Sequence, residues 1–254
     1  MAHFVLTFLF AITSAEGISV DWSEQAIHFY GPVDIALDTA YTNELNSKLN
    51  RLFAAIPLDA NRTLADAVSS SRNAQEYFRS TISFPQVVST RYSTSGEVQN
   101  EYVIPLTGPF IEDFIPSSQY TPKSTEEKSY EPDTSSTLPA IPVTGFIIDA
   151  RGTGFSPSIF PRLMDSEGNV ILDAGTIDRN LLLEKGYIHY AYSSRAALQS
   201  RELGLNPLRI IAERATGNNQ CDLVIPSADV ERISESPLNQ RLLSECRVII
   251  VIDK

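Results

Sequence analysis

The residues with the most chemical potential gather where an apolar run, residues 143–148, breaks into Asp149-Ala-Arg151-Gly152-Thr-Gly154. A strand that ends in a glycine-bearing corner is where α/β proteins place phosphate and dinucleotide sites. Glycine lets the backbone approach the ligand, and a following helix supplies free N–H groups. In this chain Pro157 stands where the third glycine of that fingerprint belongs, and no helical pattern begins after it. Asp149 and Arg151, two residues apart, would share one face of an extended strand. That spacing suits two roles. One is a carboxylate–guanidinium pair that locks the corner. The other is a binding site in which Arg151 holds the carboxylate or phosphate of a ligand, with Asp149, Gly152, Gly154 and Arg162 around it. The lock is the favoured reading.

Other reactive groups are sparse. There is no Gly-x-Ser-x-Gly elbow and no phosphate loop with its lysine. His28 and His189 each sit in an alternating apolar segment without a neighbouring nucleophile, which suits packing residues. Cys221 and Cys246 either pair in an oxidising compartment, closing a loop worth roughly 3–4 kcal/mol, or remain buried thiols. Without partner histidines they do not make a zinc site. Asp165, Glu167 and Asn169 alternate like calcium ligands, but the glycine and glutamate positions of an EF-hand loop do not match, and Gly168 suits a hairpin turn. No catalytic residue, metal or cofactor is therefore assigned. A hydrolase using two converging carboxylates is the third-ranked reading.

These residues belong to a chain of 254 residues, 43% hydrophobic and 20% charged, which fits one large or two ordinary folded domains. A net charge of −11, with no basic run, argues against nucleic acid and against an anionic membrane surface. Residues 4–12 form an apolar core followed by Thr13, Ser14 and Ala15. This is too short to span a bilayer but suits a secretory signal cleaved after Ala15. No other segment approaches a membrane span.

Periodicity supplies the elements. Strands are expected at residues 18–22 and 26–30. A helix capped by Asp34 follows, with Leu45, Leu49, Leu52 and Phe53 on one face and its end before Pro57. A second helix over 63–82 opens with a Thr63/Asp66 capping box. Strands at 86–92 and 97–104 flank a Ser-Gly turn, and a short helix closes the domain near residue 114. Residues 118–139, rich in Ser, Thr, Glu and Pro, read as a flexible linker. Beyond it come a hairpin around Gly168, a helix capped by Asp178, a strand over 187–192 and a helix over 194–203. Strands over 207–214 and 221–226, two further helices and the apolar strand 246–253 complete the chain. The fold class is α+β in two small domains. Residues 16–117 form a strand-helix-helix-hairpin module, and residues 140–254 form a mixed-sheet α/β sandwich with the strands near 146 and 250 at its centre.

The order of the first half carries a resemblance. Trp22 lies on the first strand pair, Gly31-Pro enters the helices, and Val-Val-Ser-Thr-Arg-Tyr, Gly96, then Val-Ile-Pro105-Leu106-Thr-Gly108 follow. Over residues 18–116 this resembles the FlgP-type bacterial envelope lipoprotein family, which includes the N-terminal domain of the flagellar assembly protein FlgT. The segment 144–161, with Arg162 beyond it, resembles one that recurs in extended members of that family. This chain lacks the lipobox cysteine and carries a second half that short members do not have. The resemblance implies a periplasmic, non-enzymatic structural protein, either free or associated with the outer membrane. It would self-assemble as a homo-oligomer or dock to envelope or flagellar basal-body proteins. The alternative is a periplasmic binding module for a small anionic ligand or glycan at the Asp149/Arg151 corner.

Overall fold

The computed structural model describes residues 14–15, 17–33, 39–92, 96–115, 142–234 and 236–254. Most of the expected signal segment, the Asp34 cap, residues 93–95 of the hairpin turn and the linker 118–139 lie outside them. The described residues fall into two compact units. One holds the residues up to Ile56, Thr63–Leu106 and Lys254, and the other holds Pro57–Arg62 and the described part of Thr107–Asp253.

The first unit pairs β1 (Ser14–Ala15), β2 (Ile18–Asp21), β3 (Ala26–Gly31), β4 (Gln86–Tyr92) and β5 (Val98–Pro105) in one antiparallel sheet of order β1-β2-β3-β5-β4. The Asp21 carboxylate makes the β2–β3 turn by accepting the amides of Ser23 and Glu24. Helix α1 (Thr39–Ala55) buries Leu45, Leu49, Leu52 and Phe53, which follow the helical spacing expected of them. Phe53 meets Phe78 with ring centroids 4.8 Å apart, and on the sheet Phe29 stacks on Tyr102 at 5.4 Å.

The helix expected over 63–82 is two helices, α2 (Leu64–Ser70) and α3 (Arg72–Ser83). The Thr63/Asp66 capping box is formed. Ser71 takes extended angles between the helices and serves both of them. Its N–H closes α2 on the Ala67 carbonyl, and its hydroxyl accepts the Ala74 amide at the start of α3. Serine competes well for local backbone bonds, so a helix breaks readily there.

The second unit contains two four-stranded sheets. The first is wholly parallel, in the order β10 (Leu208–Ile211), β6 (Phe146–Asp149), β13 (Val248–Val251), β9 (His189–Ala191). All four residues of β13 are buried, as are Phe146, Ile147 and Ile148 of β6, so the two most apolar strands occupy the middle of the sheet. The second sheet runs β11 (Arg214–Thr216), β12 (Asp222–Val224), β7 (Leu163–Met164), β8 (Val170–Leu172), and only its β12–β7 pair is parallel.

The single strand expected over 207–214 divides between these sheets. The Ala212 amide still bonds Asp149 of the first, while the Glu213 amide bonds Val224 of the second. Among the described residues, four α-helices complete the unit, α4 (Arg179–Lys185), capped by Asp178, α5 (Ser194–Gln199), α6 (Ser227–Ser234) and α7 (Pro237–Ser244), beside the 3-10 helices Pro109–Phe114, the short helix expected near residue 114, and Ala174–Thr176. Helix α5 stops at Gln199, short of the expected 203, because Ser200 turns extended. Gly204 is therefore not a helix stop. It is left-handed (φ 68°) and lies where a Cβ would come within 2.9 Å of the Thr144 side chain.

Candidate functional site

Parallel sheets gather loops at the carboxyl ends of their strands, and ligand sites of α/β proteins form there. In this protein that edge holds Asp149 at the end of β6, Asp253 beyond β13 and Ser194 at the start of the helix after β9. The Arg151 side chain folds back on Asp149 as a fork, with Nε 2.8 Å from Oδ1 and a terminal nitrogen 2.5 Å from Oδ2. The same terminal nitrogen reaches Ser194 Oγ at 3.3 Å. The Gly152 amide donates to Asp253 Oδ2 at 2.9 Å. Thr153 closes the turn from its hydroxyl to the Ala150 carbonyl at 2.6 Å, and the Ala150 amide bonds Val251 across the sheet.

Electrostatics follow this geometry. Hydrogen bonding to the Arg151 guanidinium holds the Asp149 carboxyl below its ordinary value, and the bonded Asp149 raises Arg151 in turn. The donors that an anion would need, the guanidinium fork and the Gly152 amide, are engaged by two carboxylates. A phosphate or carboxylate ligand would compete with these carboxylates for the fork and the amide. Gly152 and Gly154 are left-handed (φ 74° and 76°), and a Cβ on either would meet nothing within 4 Å. Glycine is what allows the chain to turn at these two positive-φ positions. The contacts are those of a lock: Asp149 holds the Arg151 fork and Asp253 holds the Gly152 amide.

Arg162 belongs to another arrangement. Its amide and guanidinium both bind Asp222, with the amide 3.0 Å from Oδ1, Nε 3.0 Å from Oδ2 and a terminal nitrogen 2.5 Å from Oδ2. Asp222 lies in β12 and is fully buried. The structure thus brings Asp149, Arg151, Gly152 and Gly154 together on one turn and pairs Arg162 with the second sheet. Asp253, Ser194 and Asp222 were not singled out from the sequence. Only strand register could have pointed to Asp253, which lies two residues beyond the partner of Asp149 in β13.

Cys221 and Cys246 are free, buried thiols, and the disulfide alternative is not formed. Burial pushes Cys221 up to about 12 and Cys246 up to about 11, which makes both poor nucleophiles. His189 is held below the ordinary imidazole value by burial. In the loop whose Asp165, Glu167 and Asn169 alternate like calcium ligands, the Asp165 carboxylate accepts the amides of Glu167 and Asn169 and the Asn169 side chain, which makes it a hairpin turn. Among the described residues there is no group of three or more metal-ligating side chains, and no helix is long and apolar enough to cross a membrane.

Periodicity places β4 at residues 86–92 but does not flag the exposure of its faces. The strand forms one edge of the first unit's sheet, and its two faces are both largely exposed. Val87 and Val88 are each 48% exposed, Tyr92 is 78% exposed, and Phe84 just before the strand is 83% exposed. The signal was present in the consecutive valines, which break a strict in/out alternation. The ladder to β5 shifts register between Val87 and Ser89, so both valines face solvent.

Residues 145–254 match the family model described as Treponema pallidum Tp0624, second domain. The match begins just before β6 and runs through β13, which supports a two-domain architecture. No curated protein matches the chain.

Proposed function

We propose that this is a non-enzymatic, exported assembly protein of the bacterial cell envelope, FlgP-like in its first half. In this reading it acts by self-association or by docking to larger envelope machinery such as the flagellar basal body. The observation that carries the proposal is β4, a seven-residue edge strand without proline whose apolar side chains stand in solvent. Natural proteins blunt such edges with charge, proline, bulges or cover, because unpaired amides and carbonyls template pairing with another chain; β4 has the register shift at Val87/Ser89 but, among the described residues, neither proline nor cover over its apolar side chains. The described part of β4 carries one charge, Arg91, which rests over the Tyr30 ring at 4.4 Å. The first unit, with its opening strands, helices α1 to α3 and closing β4–β5 hairpin, keeps the strands-then-helices-then-hairpin order on which the FlgP-like reading rests, and the Asp149–Arg151 pairing at the corner of the second unit favours a structural role.

The test is the state of the protein in solution and in cells. Light scattering of the purified chain and fractionation of the cell envelope should find it in a species larger than one chain or held in the envelope fraction. A strictly monomeric protein without an envelope partner would refute the proposal.

A further inference from the structure

Residues 57–62, Pro-Leu-Asp-Ala-Asn-Arg, lie within the second unit although the chain on either side of them belongs to the first. The Ile159 amide donates to the Pro57 carbonyl at 3.2 Å, and the Phe160 amide to the Leu58 carbonyl at 2.8 Å. On the other side, the Asn219 amide donates to the Ala60 carbonyl at 3.1 Å. Its side-chain nitrogen reaches the carbonyls of Asp59 at 2.8 Å and Arg62 at 3.2 Å. Asn218 Nδ2 donates to the Asn61 side-chain oxygen at 3.1 Å. Leu58 and Ala60 are buried. Gly217 is left-handed (φ 86°), and a Cβ there would stand 3.0 Å from the Ala60 Cβ, so glycine is what admits the loop.

The loop also holds its own shape. The Asp59 carboxylate accepts the Asn61 and Arg62 amides at 2.9 Å each and the Arg62 Nε at 2.7 Å. The Leu58 and Asp59 amides close on the Arg62 carbonyl at 2.8 and 3.2 Å. Its main-chain carbonyls are thus met by donors from two segments far away in sequence, and an aliphatic side chain anchors it. Peptides are recognised in this way, with the ordering cost lowered because the turn is preformed.

We propose that the surface between Ile159–Phe160 and the 217–219 turn is a peptide-recognition site for a turn of the form Leu-Asp-Ala-Asn-Arg, in which Leu58, Ala60 and Asn61 meet the seat and Asp59 and Arg62 hold the turn, occupied in cis by residues 57–62. A bound ligand can leave without unfolding its receptor, and a piece of the core cannot. Hydrogen exchange on the full chain separates the two cases. The Ile159 and Phe160 amides should exchange through a local opening, faster than those of Ile148 and Ile250. Asn219→Ala should speed the first pair about tenfold and leave the second unchanged, since it removes the side-chain donor to two carbonyls.

In a second variant, Asp59→Ala with Arg62→Ala, the loop is loosened while the seat is intact. A synthetic peptide of residues 56–63 should then slow exchange at Phe160 back toward the native rate. The proposal is overturned if Ile159 and Phe160 exchange in step with Ile148 and Ile250 in every variant, or if the peptide leaves Phe160 exchange in the loosened variant unchanged.

Discussion

Arg162 clasps Asp222 from both its backbone and its side chain, with the amide on one carboxylate oxygen and the guanidinium on the other. The two ends of this pair are unequally wet. The Asp222 side chain is 1% exposed and that of Arg162 is 35% exposed. Removing the arginine strands a buried carboxylate, whereas removing the carboxylate leaves a cation that can still reach water. Arg162→Met should therefore cost about 3–5 kcal/mol in urea unfolding, and Asp222→Asn a smaller amount, about 1–3 kcal/mol. Equal losses would show that burial does not control this pair.

The Asp149–Arg151 lock gives a pH prediction. Bonding to Arg151 lowers the folded-state value of Asp149. Such a group contributes stability that is fully present above its unfolded value of about 3.9 and is lost as pH falls through the lower folded value. The stability difference between the native chain and Asp149→Asn should therefore be largest above about pH 4 and shrink in more acidic solution. An NMR titration of Asp149 should give a midpoint below that of a free aspartate.

Two glycines with the same backbone hand should respond differently to substitution. Gly154→Ala places a side chain in open space at φ 76°, so only left-handed strain of about 1–2 kcal/mol is expected. Gly204→Ala at φ 68° adds a clash with Thr144, whose Cβ lies 2.9 Å from the new carbon, and should cost clearly more. Thermal unfolding of the two variants side by side decides this.

The thiols should be silent in the folded protein. With Cys221 pushed up to about 12 and Cys246 up to about 11, and both buried, a thiol reagent at pH 8 should label neither until the chain unfolds. Denaturation without reductant should then release two reactive groups. Two unreactive sulfurs after denaturation would mean that they are paired.

Much of the fold was legible because the signals were local. Asp178 and the Thr63/Asp66 box cap their helices as their types suggest, and the apolar runs ending at Ile148 and Val251 became the central strands. The Asp149–Arg151 pair was legible because its members are two residues apart. The bonds around it were not, since Asp253, which accepts the Gly152 amide, and Ser194, which meets Arg151, lie 101 and 43 residues from those partners and only parallel pairing brings them in. The break at Ser71 was missed because one serine caps two helices, which periodicity reads as continuity. The division of residues 207–214 between two sheets, and the seating of 57–62 in the second unit, depend on which distant carbonyls lie opposite. One chain's hydrophobic pattern does not record that.

The central claim is that β4 is an assembly edge, and sedimentation velocity across a wide concentration range tests it most directly. The native chain should form species larger than one molecule. Val88→Lys should shift them to monomer, because an edge lysine cannot be desolvated in a new strand pair. Leu205→Lys, at a fully exposed position outside any strand, should change nothing. A Val88→Lys variant that assembles like the native one, or a native chain that stays monomeric throughout and is also missing from the envelope fraction, would contradict it.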